Sequence, residues 1–229
     1  MMRSSSAPAL AMTEPLSLFS LPLFPLGTVL YPGGSLPLRI FEVRYLDMVR
    51  KCQRSGAPFG VVLLTLGSEV DKARPEPPTG GAASEAFHTV GTLATITECH
   101  APQPGLLMLR CTGTQRFRIS HSEKLKHGLW IGDVTLFPDD QMVPIPSDLI
   151  HVSQALNALI QSLHQRAVPA PEMPVQAPYL LDDCAWVANR WCELLPIPAE
   201  HKQRLMELDN PLLRLELVSD VLEGAGISG

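Results

Sequence analysis

The pattern of hydrophobic and polar positions changes near Pro138 and divides the chain into two parts. Before this point, short apolar or alternating runs are separated by glycine and proline, which is typical of β-strands joined by turns. After it, apolar residues recur every three or four positions, which is typical of amphipathic helices. The pattern therefore predicts a β-rich N-terminal part and a helical C-terminal part.

The N-terminal part contains about seven strand-like runs, a number that is typical of a small barrel or a sandwich. The segment 59–66 is almost entirely apolar, which predicts a strand buried on both faces. Two strand-like runs flank Gly113-Thr114, and this spacing predicts a hairpin there. The predicted runs are 18–24, 36–40, 59–66, 89–98, 106–112, 115–120 and 130–137, and a further short run at 29–30 lies before the turn that leads into 36–40.

A single helix interrupts the strands. Between residues 41 and 52, apolar side chains recur at spacings of three and four, and most charged side chains fall on the opposite side. Gly56 follows as a stop signal, because glycine readily adopts the left-handed conformation that ends many helices.

The C-terminal part predicts four helices after a proline-rich connection at residues 138–146. Ser147 or Asp148 can cap the first helix, and Asp182 or Asp183 can cap the second. Asn210-Pro211 is a clear start for the fourth, with asparagine as the cap and proline at the first helical position. The predicted helices are about 147–166, 184–195, 199–208 and 211–223.

These elements predict an α+β fold in three segments. We expect residues 1–13 to form a disordered tail, residues 14–140 to form a small β-domain, a barrel or a sandwich, with one inserted helix, and residues 147–224 to form an α-helical bundle. The segment 72–86 is polar and rich in proline, glycine and alanine, which predicts a mobile loop that projects from the barrel.

Composition and charge narrow the class of protein. A net charge of -5 argues against a protein that tracks nucleic-acid phosphates. The N-terminus lacks the apolar stretch of a signal peptide, and no apolar run approaches the length that spans a bilayer. We therefore expect a cytoplasmic protein with no membrane partner.

The five cysteines are widely spaced and form no paired motif, so we expect reduced and mostly buried thiols. Cys99 and His100 would point to opposite faces of one strand, which argues against a shared metal ion. No metal or other cofactor is expected.

Four sequence blocks carry a family resemblance. They are LPLFPLGTVLYPGGSLPLRIFEVRYLDMV at 21–49, GTLATITE at 91–98, GTQRFRI at 113–119, and AWVANRWCELLPIPAEHKQRLMELDNPLLRLELVSDVL at 185–222. In this order they resemble the amino-terminal, substrate-binding domain of Lon proteases, including its stand-alone bacterial members. The resemblance implies a PUA-like β-barrel followed by a helical bundle, and a role in recognising unfolded or tagged protein segments.

The catalytic motifs of a Lon protease are absent from the sequence. There is no GxxxxGK[ST] loop to hold ATP phosphates, and no segment resembles the Ser–Lys protease dyad. We therefore expect a non-enzymatic protein- or peptide-binding module that lacks ATPase and protease domains, with no catalytic residues.

A peptide could add to an open sheet edge or lie in an apolar groove between the two parts. Trp186 and Trp191 are five positions apart, so one should fill the core and the other should lie at the junction. Glu42 and Tyr45 have a simpler alternative role, in local pairing and in packing the helix onto the barrel. The candidate peptide-binding residues are Phe24, Tyr31, Phe41, Glu42, Tyr45 and Trp186.

An alternative function is an RNA- or small-ligand-binding PUA-like barrel. Arg110, Arg116 and Arg118 form a basic stripe, since a period of two places Arg116 and Arg118 on one face of a strand. The same stripe also fits a solvated strand face without a ligand. A clustered, exposed positive face would favour binding of RNA.

Overall fold

A computed structural model describes residues 16–65 and 86–227. The predicted tail at 1–13 and nearly all of the predicted loop at 72–86 lie outside these residues. The described chain is a mixed α+β structure with a six-stranded sheet and five α-helices. The strands are β1 (Ser17–Leu26), β2 (Ser35–Ile40), β3 (Phe59–Leu64), β4 (Phe87–Gln103), β5 (Leu106–Lys124) and β6 (Trp130–Leu136). The helices are α1 (Val43–Ser55), α2 (Ile150–Gln165), α3 (Cys184–Leu194), α4 (Ala199–Glu207) and α5 (Pro211–Gly224).

The strand order is β2-β5-β4-β3-β1-β6, and β5 also pairs with β6. The pairing of β1 with β3 is parallel, and the other pairings are antiparallel. One half of β5 pairs with β2 and the other half with β6, while β4 pairs along much of its length. The pairings of β5, β4, β3, β1 and β6 therefore form a closed cycle, and β2 lies outside it.

The prediction of a hairpin at Gly113-Thr114 is wrong. Strand β5 runs without interruption through both residues, and the turn between β4 and β5 lies at Pro104-Gly105. Gly113 instead allows the backbone of Tyr31 to approach strand β5 closely, because a Cβ at position 113 would lie 2.2 Å from the backbone oxygen of Tyr31. The run at 29–30 also forms no strand.

Replacing Gly113 by alanine is expected to lower the free energy of unfolding by about 3 kcal/mol, because the backbone at Tyr31 would have to move. Gly27→Ala is the control, since its Cβ would meet nothing within 4 Å. Urea unfolding measures both variants. Equal stability of the two would show that the Tyr31 segment yields without cost.

Helix α1 covers one face of the sheet. Gly56 ends it in the left-handed conformation, with φ at 66°, as the sequence predicts. The ring of Tyr45 meets the ring of Phe24 edge-on at 4.2 Å between centroids. The helix buries five side chains against the sheet: Tyr45, Leu46, Met48, Val49 and Cys52.

Two predicted helix caps are confirmed, and one is wrong. The Asp183 carboxylate accepts from the backbone N–H groups of Ala185 and Trp186, and the Asn210 side chain caps α5 in the same way. Neither Ser147 nor Asp148 caps α2; Leu149 precedes that helix, and no side chain caps it.

The largest apolar cluster joins the two parts of the chain. It contains buried residues of α2, α3, α4 and α5, and it also includes Val29, Tyr31, Leu63 and Val90 from the β-rich part. The helices therefore pack directly on the sheet and its loops, and the junction between them is part of the core.

Candidate functional site

Arg190 of α3 fixes the turn at residues 31–34 against the helices. It is 1% exposed, and its guanidinium donates to the carbonyl oxygens of Gly33 and of Pro32, the latter at 2.8 Å. It also donates to the Glu193 carboxylate at 3.0 Å. A Cβ at Gly34 would lie 2.1 Å from that carboxylate, so glycine at this position leaves room for Glu193.

Asp140 joins the sheet to the helices through two buried arginines. One carboxylate oxygen accepts from Arg116 of β5 at 2.8 Å, and the other accepts from Arg214 of α5 at 2.7 Å. Arg214 also donates to the Asn189 side chain at 2.9 Å. The carboxylate, itself only 10% exposed, holds strand β5, the connection after β6 and helix α5 together.

Helix α4 adds two hydrogen bonds to the same junction. The Tyr31 hydroxyl donates to the carbonyl oxygen of Lys202 at 2.5 Å, and the Gln203 amide donates to the carbonyl oxygen of Val90 at 2.9 Å. The acceptors of both hydrogen bonds are backbone carbonyl groups. Directional hydrogen bonds therefore fix the position of the helices relative to the sheet, in addition to apolar packing.

A cleft opens at the surface of this junction. It consists of two hollows of about 220 and 410 Å³ that share Gly33, Leu180 and Trp186. Leu180 is 43% exposed, and the Trp186 ring meets the Tyr179 ring at 6.2 Å between centroids. The other lining residues are polar or small, among them Thr97, Thr112, Gln115, Asp139, Gln176, Pro178 and Asn189.

The predicted peptide-binding residues are distributed differently from the expectation. Phe24, Tyr31 and Tyr45 are 7%, 0% and 6% exposed, so they are core residues, and their burial argues against a role in an open groove. The rings of Phe24 and Tyr45 pack between the sheet and α1, and the ring of Tyr31 packs against the C-terminal helices, which explains their burial.

The other three predicted residues lie at the surface or in the cleft. Phe41 is 68% exposed just before α1 and lines neither hollow of the cleft. The Glu42 carboxylate accepts from Arg44 at 2.9 Å, and Arg44 donates onward to the carbonyl oxygen of Gly128 at 2.7 Å, as local pairing would require. Trp186 lines the cleft, whereas Trp191 is 4% exposed and donates to Val152 in the core.

Sequence reasoning missed Leu180, the other apolar side chain of the cleft. It lies in the proline-rich link before α3, outside any periodic pattern, so no hydrophobic face predicts its position. The sequence did contain a signal, because Tyr179, Leu180 and Leu181 form an apolar run within a link. If such a run is not buried in the core, it presents apolar surface to solvent.

The basic stripe is not the exposed positive face that RNA binding would need. Arg116 is 4% exposed and is neutralised by Asp140 and by Asp209 at 3.2 Å. Arg116 and Arg118 do share a face, since both guanidinium groups lie 5.2 Å from the Phe137 ring. Arg110 lies beside Glu98 at 3.5 Å. These three arginines therefore do not form the clustered, exposed positive face that would favour RNA binding, and Arg116 is not on a solvated strand face either.

No cysteine is among the described residues that line the cleft. All five cysteines are free, and four of them are buried. Burial raises the pKa of the Cys111 thiol to about 12 and that of Cys192 to about 11, which keeps both protonated and unreactive. Within residues 16–65 and 86–227, no group of His, Cys, Asp and Glu could hold a metal ion, and no helix could cross a membrane.

The described α+β fold is that of a known class of domain. The family model of the ATP-dependent protease La (LON) substrate-binding domain matches residues 20–224, so the chain belongs to this family. The Lon N-terminal domain protein from Xanthomonas campestris is 32% identical, with a TM-score of 0.66; the match covers 89% of this chain and 98% of that one. The N-terminal domain of the Mycobacterium avium complex Lon protease has the same fold, at 16% identity and a TM-score of 0.52, over 88% of this chain and 96% of that one.

Full-length relatives are only partly covered. The Lon protease of Anaeromyxobacter dehalogenans is 25% identical over 210 residues, and Lon protease 2 of Myxococcus xanthus is 25% identical over 207 residues. Each match covers 88% of this chain but 23% of the relative. The chain therefore spans about a quarter of the length of these relatives.

Proposed function

We propose that the chain is a non-enzymatic recognition module that holds apolar segments of protein substrates in the cleft beside Trp186. The observation that carries the proposal is that Trp186 and the exposed Leu180 line the same cleft, whose other lining residues are mostly polar. Apolar side chains of a bound segment would contact these two residues, and polar groups would pair with its backbone. Membership of a substrate-binding family supports this role.

In this proposal the closed cycle of strands is the PUA-like barrel of residues 14–140, and residues 147–224 are the helical bundle. The cleft then lies where barrel and bundle meet. Its walls are set by the Arg190 and Asp140 contacts, so it is preformed before a substrate arrives. A preformed cleft reduces the entropy that binding must otherwise remove.

Binding in the cleft is favoured over addition of a strand to the sheet. The edge strand β2 has only six residues, and Pro37 at its centre has no N–H to donate to an incoming strand. Such a short edge with a proline is the form in which proteins protect sheets from unwanted pairing.

The test compares two leucines of matched exposure. Leu180 is 43% exposed in the cleft, and Leu213 is 40% exposed on α5, where it does not line the cleft. Leu180→Asp is expected to weaken the binding of a labelled apolar peptide by about 10-fold or more, because burial of one leucine accounts for that much affinity. Fluorescence anisotropy measures the dissociation constants.

Leu213→Asp is the control and should bind as the wild type does. Circular dichroism and urea unfolding of both variants establish that they are equally folded. Equal binding by the two variants would place the peptide elsewhere on the molecule, and the proposed site would then be wrong.

A further inference from the structure

The charges that line the cleft are nearly all matched within the protein. Asp140 is shared by Arg116 and Arg214. The Asp183 carboxylate accepts from the backbone N–H groups of Val143 at 3.1 Å and Trp186 at 3.2 Å, so both of its oxygens already have hydrogen-bond partners within the protein. On the other side of the cleft, Arg110 pairs with Glu98 and donates to the carbonyl oxygen of Pro171.

Asp139 differs from these residues. It is exposed, it lines the hollow that also contains Trp186 and Leu180, and it follows Pro138 in the stiff connection after β6. Among residues 16–65 and 86–227, no cation lies within ion-pair distance of its carboxylate and no donor bonds to it. The cleft therefore presents one unmatched negative charge beside its apolar surface.

We propose that this charge sets the substrate class: the cleft selects protein segments in which an apolar side chain is accompanied by lysine or arginine. This inference rests on the proposed function and adds a specificity-determining residue, Asp139, to it. The apolar side chain would contact Trp186 and Leu180, and the neighbouring cation would pair with the Asp139 carboxylate. Acidic segments of equal hydrophobicity would be disfavoured by the same charge.

The position of Asp139 sets the size of the effect. Because the carboxylate is exposed, an ion pair there is partly solvated, weak and sensitive to salt. The Trp186 ring already has the Arg190 guanidinium 5.9 Å from its centroid, so a second cation is better placed at the carboxylate than over that ring. We therefore expect a preference for basic segments that tunes selection, while apolar contact provides most of the affinity.

The test uses three labelled peptides with one apolar core and a neighbouring arginine, glutamine or glutamate. With the wild-type chain at low salt, the arginine peptide should bind about 3-fold more tightly than the glutamine peptide and about 10-fold more tightly than the glutamate peptide. Asp139→Asn should remove most of this difference, and Asp139→Lys should reverse its sign. High salt should reduce the wild-type preference.

Asp220→Asn is the matched control, because Asp220 is an exposed aspartate on α5 that does not line the cleft. It should keep the full preference. If all three peptides bind equally to the wild type, or if Asp139→Asn retains the preference, the inference about Asp139 is wrong while peptide binding stands. If none of the peptides binds, the proposed function itself is contradicted.

Discussion

Replacing Asp140 by alanine is expected to lower the free energy of unfolding by about 3–5 kcal/mol. The substitution would leave Arg116 and Arg214 charged, buried and close together, at 4% and 1% side-chain exposure. Asp140→Asn should cost less, because its amide oxygen still accepts one hydrogen bond. Urea unfolding followed by circular dichroism measures each change.

The adjacent aspartate provides the control for this prediction. Asp139 lies in the same connection but is exposed, so Asp139→Ala should change stability by less than about 0.5 kcal/mol. If Asp140→Ala and Asp139→Ala are equally stable, the carboxylate does not hold sheet and helices together.

The second large effect concerns pH and Glu193. Burial raises the pKa of this carboxyl to about 7, although Arg190 at 3.0 Å and Lys202 act in the opposite direction. An unfolded chain returns the group to its ordinary pKa of 4.5. Between these two values the folded chain holds a proton that the unfolded chain has lost, so stability falls as pH rises through this window.

Glu193→Gln cannot ionise and should lack this dependence. Because a raised pKa of this size corresponds to ~3 kcal/mol, the stability of the variant relative to the wild type should increase by about that amount between pH 4.5 and pH 8. Glu216→Gln, at an exposed position on α5, is the control. Urea midpoints measured across this range decide the matter; parallel curves for the wild type and Glu193→Gln would mean that Glu193 does not titrate in the window.

The division into β-rich and helical parts follows from sequence, because periodicity and helix caps are local signals. Asp183 and Asn210 each bond to backbone groups two and three residues further along the chain, so the residue type and its position are enough to predict them. The fold class was accessible for the same reason.

Several differences between prediction and structure have a common physical origin in contacts between distant residues. Gly113 is a glycine because Tyr31 approaches it from another part of the chain, which no local turn rule reveals. Arg116 alternates like a surface residue, yet it is buried because Asp140 and the carbonyl oxygen of Met206 accept its hydrogen bonds. Tyr31 lies in the core because the C-terminal helices pack over it, and its place in the sequence does not reveal this contact.

The most direct test of the cleft uses the three tryptophans as built-in reporters. Trp186 lines the cleft, Trp191 lies in the helical core, and Trp130 packs against Phe87 in the sheet. A ¹⁵N-resolved NMR titration with an apolar, basic peptide follows their indole N–H signals separately. Binding in the cleft should shift the Trp186 signal and leave those of Trp130 and Trp191 nearly in place. A saturating peptide that leaves the Trp186 signal unmoved would contradict the proposed site.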